Sequence, residues 1–344
     1  MRHQTTAVDR PPAVAYMDAA TVACNAPSIL NTQPWLWRVR PDGLDLFADR
    51  SRQLVAGDPQ GRQLVVSCGA ALHHARIALA ADGWATQVTR LPEANDPDLL
   101  ATLSVSGRAS AAMEALRLAH ATRIRHTDRR PVSDRPIPDV RLRAIAAAAR
   151  AEGNLHVLTS ENVADLGSAA CRAAAVEAGD AQIAAELMYW TGRARLSGAG
   201  LPAGVLPDHP TQTTVPSRDF GRPGTLPVGA GHDWAAVYAL LFGDGDEPRD
   251  WLRAGEALSA AWLTAATIGV SVVPLSGVVE VAGTWHTLRR LLANLGHPYL
   301  ALRLGIADPE LRGRPPRTPR LPLSQVVDAS AVPAPYPLMA RGPK

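Results

Sequence analysis

Apolar residues recur at helical spacing over residues 13–26, 62–82, 109–124, 139–151, 162–178 and 181–190. Strand patterns fall between these helices. Trp35-Leu36-Trp37-Arg38-Val39 alternates in strand fashion. After the turn Pro41-Asp42-Gly43, Leu44-Asp45-Leu46-Phe47 completes a hairpin pattern. Further strands are predicted at 86–91, 101–106, 155–159, 234–242 and 299–304. From Ala257 to Val279 there are 23 positions without a charged residue, enough in length for a membrane span. Three serines, two threonines, Gly269, Pro274 and Gly277 interrupt that run. It reads better as a helix over 257–268, stopped by Gly269, and a short strand at 270–273, so no membrane segment is expected.

Residues 197–232 break the pattern. They hold six prolines, seven glycines and few apolar runs. A loop of that length inside a compact domain is usually a functional lid or a disordered insert. As a lid it would have Leu201, Val205 and Leu206 as its candidate inner face and Tyr189 and Trp190 at its root.

The chain also resembles itself. GAALHHARIALAADGWATQV at 69–88 matches GEALSAAWLTAATIGVSVVP at 255–274 in six of twenty positions without a gap, including Gly69/Gly255, Leu72/Leu258 and Gly83/Gly269. Helix 15–26 followed by strand 35–39 is mirrored by helix 139–151 followed by strand 155–159. A duplicated chain of this kind imitates a symmetric dimer whose two equivalent sites have been free to diverge. Two unrelated Ala-rich helices are the alternative.

Composition narrows the chemistry. With 344 residues the chain is long enough for two domains, and 47% hydrophobic with 19% charged residues is ordinary globular composition. A net charge of +3 is too small to argue for nucleic acid. Lys344 is the sole lysine, which excludes a Schiff-base or P-loop lysine inside the fold. Any bound anion must be held by arginine or backbone N–H; the planar guanidinium grips phosphate through two parallel bonds. Cys24, Cys68 and Cys171 are widely spaced, which gives neither a disulfide framework nor a zinc knuckle. His73 and His74 are adjacent on a helix and diverge by about 100°, so they do not form a metal pair. The opening MRHQTTAVDRPP lacks the apolar stretch of a signal peptide, and a cytoplasmic protein is expected.

Two segments carry candidate chemistry. Ala26-Pro27-Ser28-Ile29-Leu30-Asn31-Thr32-Gln33-Pro34-Trp35 links a helix to a strand. Its two prolines stiffen it, and Ser28, Asn31 and Gln33 offer uncharged donors and acceptors suited to the edge of a heteroaromatic ring. Turn chemistry accounts for the same composition. In Arg123-Ile124-Arg125-His126-Thr127-Asp128-Arg129-Arg130, an extended chain puts Arg125, Thr127 and Arg129 on one face, a phosphate cradle. A solvated basic turn is one alternative; a nucleic-acid patch is the other, and the acidic and apolar neighbours speak against it.

These segments resemble the nitroreductase superfamily of FMN flavoproteins. The resemblance rests on Arg125-x-Thr127-x-Arg129, Pro27-Ser28-x-x-Asn31-x-Gln33-Pro34-Trp35, Pro274-Leu275-Ser276-Gly277 and the ending Arg314-x-x-Arg317-x-x-Arg320-x-Pro322-Leu323. Motif order and duplication look most like the Acg-type branch of NAD(P)H nitroreductases associated with bacterial dormancy. The resemblance implies an α+β fold with a mixed, mainly antiparallel sheet flanked by helices, in two pseudo-symmetric halves, 11–110 and 111–344, the second carrying the lid 197–232. It implies FMN as cofactor, NAD(P)H as possible electron donor, and a nitroaromatic or quinone acceptor. Storage or sequestration of FMN under a closed lid is the competing function. The implied cofactor residues are Pro27, Ser28, Asn31, Gln33, Arg125, Thr127, Arg129, Pro274, Leu275, Ser276, Gly277, Arg314 and Arg317. No side chain is singled out as acid or base, and no metal, nucleic acid or membrane partner is expected. In ordinary members one subunit gives the arginine arm and the Pro-x-x-Gly turn, and its partner gives the Pro-Ser loop. Here the arm occurs only in the second half. The loop occurs only in the first, its counterpart being Ala149-Arg150-Ala151-Glu152-Gly153-Asn154. One matched pair implies one flavin per chain and a monomer that imitates a dimer.

Overall fold

The computed structural model describes residues 12–229, 231–307 and 317–332. Its first half runs α1 (Pro12–Ala23), β1 (Trp35–Val39), β2 (Leu44–Ala48), α2 (Arg62–Ala81), β3 (Trp84–Arg90) and β4 (Leu99–Arg108). After α3 (Met113–Ile124) the second half repeats that order. It runs α4 (Asp139–Ala149), β5 (Asn154–Val157), β6 (Val237–Gly243), α7 (Pro248–Thr267), β7 (Ser271–Leu275) and β8 (His297–Gly305). Two insertions enlarge it. Helices α5 (Ser160–Gly179) and α6 (Ala181–Thr191) and the irregular segment after them lie between β5 and β6; α8 (Gly277–Glu280) and α9 (Ala282–Leu291) lie between β7 and β8.

Pairing follows the same scheme in both sheets. The first has the order β3-β4-β2-β1-β9 and the second β5-β6-β8-β7. The pairs β1·β2, β2·β4 and β3·β4 are antiparallel, as are β5·β6, β6·β8 and β7·β8. Strand β9 (Val327–Asp328) lies parallel to β1, so the chain's last described segment returns to the first sheet. The architecture is the expected mixed, mainly antiparallel α+β fold.

Two long helices, α2 and α7, cross at the seam between the halves. A Cβ on Gly69 would lie 2.0 Å from the carbonyl oxygen of Leu252, and one on Gly255 would lie 2.0 Å from that of Val66. Each glycine therefore faces the carbonyl three residues before the other, and the backbones touch. Gly83 and Gly269, the other matched pair, both adopt φ above +70° where each helix hands over to its following strand. That left-handed conformation is inexpensive only for glycine.

Helix α7 begins at Pro248, well before the uncharged run that marked it in the sequence. A capping box between Glu247 and Asp250 and a proline in the first turn start it there. The sequence reading placed no element over 277–291, where α8 and α9 stand; glycines at 277 and 283 and the valines between them blur the helical pattern. Among the described residues one helix, Arg62–Ala81, is long and apolar enough to cross a membrane, and 72% of that stretch is buried inside the protein.

Replacing Gly255 with alanine tests the crossing. On an exposed helix this change stabilises by about 1 kcal/mol. Here the added methyl meets backbone, and a loss of about 3 kcal/mol is expected in urea denaturation, in the range of severe overpacking.

Candidate functional site

A cavity of about 290 Å³ opens where the halves meet. Its walls come from the α1–β1 loop, the N-terminal turns of α2, the arm between α3 and α4, helix α5, the 197–232 segment, helix α7, the turn after β7 and the tail at 317–320. Pro27, Ser28, Asn31, Arg125, Thr127, Arg129, Pro274, Leu275, Ser276, Gly277 and Arg317 all line it. Arg314 lies outside the described residues. Gln33 is buried and does not reach the cavity.

The α1–β1 loop is wound tightly enough that three non-glycine residues, Leu30, Asn31 and Gln33, have φ between +43° and +56°. Such residues persist only where surrounding bonds over-determine them. Ser28 Oγ accepts from the Gln33 N–H at 2.9 Å, and Ser67 Oγ on α2 accepts from the Ile29 N–H at 3.1 Å. The Asn31 amide donates to the carbonyls of Gly200 and Pro319, both at 3.0 Å, and its Oδ1 accepts from Arg320 at 3.0 Å. Gln33 donates to the Gly198 carbonyl at 2.8 Å and accepts from the Leu321 N–H at 3.0 Å. The sequence reading gave both amides to a ligand's edge. In the fold they tie together the loop, the base of the 197–232 segment and the tail, three pieces distant in sequence.

The arginines are the cavity's charge. Arg125 donates to the Asn25 carbonyl at 3.2 Å and stacks 4.5 Å over the Trp262 ring; its buried Nε has no partner. Arg129 donates to the Val205 carbonyl at 3.2 Å and lies 5.3 Å over Phe220. Arg320 donates to the carbonyls of Asn25 and Ala26 at 3.1 and 3.3 Å. Among the described residues none of Arg125, Arg129, Arg317 and Arg320 is ion-paired with a carboxylate. Burial, with Arg320 and Arg317 close by, pushes the Arg125 guanidinium down to about 9; burial and neighbouring Arg303 push Arg129 down to about 10. Burial likewise brings Arg320 to about 10, against the pull of Cys24. All three remain charged at neutral pH. Buried cations without counter-charges are costly, and an anion placed among them relieves that cost.

Arg303 was missed by the sequence reading. It is a lone charge in the apolar strand β8, and it sits behind the arm, bonded to Asp233 at 2.7 Å and to the carbonyls of Asp128 and Arg130. Its isolation in that strand was the available signal. Glu177, Arg218 and Trp262 also line the cavity and carried no motif. Leu201 and Val205 face the cavity as expected; Leu206 is buried elsewhere. His73 and His74 lie between α2 and α7, both within 3.0 Å of Ser259 Oγ, and burial holds both neutral.

No protein-family model matches the chain. Curated relatives do. The chain is 37% identical over 325 residues to "Putative NAD(P)H nitroreductase Rv3131" of Mycobacterium tuberculosis H37Rv, covering 92% of each protein. It is 33% identical over 323 residues to "Putative NAD(P)H nitroreductase acg" of the same organism, covering 91% of this chain and 95% of the relative. The chain belongs to this nitroreductase family. Solved structures found by comparison include NfnB of Mycobacterium smegmatis in complex with NADPH, at 19% identity and TM-score 0.38, covering 62% of this chain and 97% of that one. They also include a Bacteroides fragilis nitroreductase with bound FMN, at 11% identity and TM-score 0.36, covering 58% and 92%.

The Gln33 tie predicts an effect without cavity contact. Gln33→Ala leaves the Gly198 carbonyl and the Leu321 N–H buried and unpaired, at about 1–3 kcal/mol each. Thermal denaturation should show that loss, and limited proteolysis should find the 317–332 tail released; an unchanged melting point and cleavage pattern would contradict the tie.

Proposed function

We propose that the cavity holds one FMN and that the protein is an NAD(P)H-dependent oxidoreductase acting on nitroaromatics or quinones. The observation that carries this reading is the set of arginines, Arg125, Arg129 and Arg320 chief among them, that line the cavity without a carboxylate partner among the described residues, in a chain of the nitroreductase family. The residues fit the cofactor. Arg125, Arg129 and Arg317 suit its phosphate, and the unpartnered Nε of Arg125 offers a donor. Ala170, Ala173 and Ala174 on α5, Trp262 on α7 and the turn Pro274–Gly277 give walls to a flat ring. FMN, when bound, accepts hydride and passes electrons on; the protein's part is to hold it, orient it and keep water away. With no internal lysine, buried arginine and backbone N–H supply the positive field that a reduced flavin requires.

We further infer that the halves arose by duplication and that only one of the two seam sites is in use. Identical strand pairing and the reciprocal glycine contact support this. Counted from Gly69 and Gly255, Arg76 stands where Trp262 does, Val88 where Pro274 does and Arg90 where Ser276 does. Those residues line a second pocket with His73 and Glu152. Its arginines are spent: Arg76 and Arg90 both bond Glu152, at 2.9 and 3.0 Å, and both bond the fully buried Glu256. The chamber that matters has unpaired arginines; its mate has an internal ion cluster. Storage of FMN is the second reading, and what supports it is the burial of Leu201 and Val205 of the 197–232 segment against the cavity.

Arg125→Ala and Arg129→Ala should weaken FMN by about 10–150-fold each, from about 1.5–3 kcal/mol per charge-assisted bond, while leaving riboflavin affinity nearly unchanged. Equal losses for both ligands would show that these arginines do not meet the phosphate. Anaerobic NADPH should bleach the holoprotein's flavin absorbance; a flavin that stays oxidised would favour storage.

A further inference from the structure

The second pocket measures about 340 Å³, and among the described residues no Trp, Tyr or Phe lines it. Its polar groups converge from three places. His73 and Arg76 stand on α2, Thr86 and Arg90 on β3, and Glu152 in the turn between α4 and β5. Among the described residues three arginines pair with Glu152. Arg76 and Arg90 grip the same oxygen, Oε1, at 2.9 and 3.0 Å, and Arg253 of α7 approaches the other, Oε2, at 3.3 Å. Arg76 and Arg90 also bond Glu256, Arg90 at 2.7 Å.

The two glutamates are placed differently. Glu256 is fully buried in α7 and holds the two guanidinium groups from behind, as part of the core. Glu152 rides on a turn secured by two backbone bonds, from its own N–H and that of Gly153 to the Ala149 carbonyl. Arg76 and Arg90 keep 33% and 16% of their side chains exposed, so a solute reaches them beside Glu152. Glu152 is therefore the displaceable charge. His73 adds a neutral donor. His74 Nδ1 lies 2.9 Å from the Ala70 carbonyl, which only accepts, so that nitrogen carries the proton. Ser259 Oγ accepts from it at 3.0 Å and donates to His73 Nδ1 at 2.9 Å. His73 then carries its own proton on Nε2. Apart from the carboxylate of Glu152, the polar side chains lining the pocket offer donors: two guanidinium groups, an imidazole N–H and the Thr86 hydroxyl.

We propose that this pocket is an oxyanion site that Glu152 occupies from within, and that its external ligand is a small phosphate dianion. Glu152 sits in it as a ligand would, one oxygen held by two arginines and the other by a third. Once Glu152 is displaced, three arginines face the single charge of Glu256. The surplus of two positive charges matches a phosphate, which carries about −1.5 to −2 near neutral pH, better than it matches the single charge of a carboxylate. Guanidinium groups also grip phosphate through paired parallel bonds. The lack of large aromatic walls suits a small ion and not a flavin. Nothing here depends on what the main cavity holds.

Calorimetric titration of inorganic phosphate into the FMN-saturated protein, with the main cavity filled, reads the second pocket. Glu152→Ala should bind phosphate about tenfold or more tightly than the unaltered protein, the worth of one charge-assisted hydrogen bond. Glu152→Gln, which keeps the shape and removes the charge, should shift affinity in the same direction. Adding Arg90→Gln to Glu152→Ala should abolish the gain. Where Glu152→Ala lowers stability, phosphate should raise its melting temperature and not that of the doubly altered chain. Equal phosphate affinity in the unaltered protein and both Glu152 variants overturns the proposal. So does a gain that survives Arg90→Gln, which would put the ion elsewhere. If the protein binds no FMN, the proposed function fails, and the same comparison on the apo protein still decides the pocket, because Arg90 does not line the main cavity.

Discussion

Backbone contact between α2 and α7 at Gly69 and Gly255 is the constraint on which the architecture depends. Helices normally pack about 8–10 Å apart through their side chains. Here each glycine admits the other helix's carbonyl, with no room for a methyl group. The close approach brings the two halves back to back. It sets the turn after β7, from one half, against the Pro27–Gln33 loop from the other. The cavity is a consequence of that seam, and its walls come from both sides.

Charge then separates two places that the topology makes alike. Around the second pocket, arginine meets glutamate and the field is cancelled within the protein. Around the main cavity Arg125, Arg129 and Arg320 keep their charge, and they are positioned by backbone carbonyls, which orient a guanidinium without neutralising it. A protein sustains such a cost where a ligand relieves it.

Much of this was readable in the sequence where a residue's neighbours in the chain are also its neighbours in space. The β1–β2 hairpin, the helix–glycine–strand units ending at Gly83 and Gly269, and the extended arm carrying Arg125, Thr127 and Arg129 are of that kind. Gly69 and Gly255, the two glycines that open the repeated segments, are the residues at which the helix backbones touch. What stayed hidden depends on partners with no local signature. Asn31 and Gln33 bond carbonyls more than 160 residues away, so their pattern looked like ligand chemistry. Arg218 meets Glu177 and Glu280, each separated from it by over 40 residues. Arg303 has acidic and carbonyl partners on other elements, and nothing beside it in its strand announces them.

The central claim is that a single chain builds one complete anion-holding cavity at its own internal seam. Native mass spectrometry of the protein saturated with FMN and then desalted tests it most directly. The account predicts one chain carrying one FMN. Two FMN on one chain, or a dimer that loses its FMN when the chains separate, would contradict it.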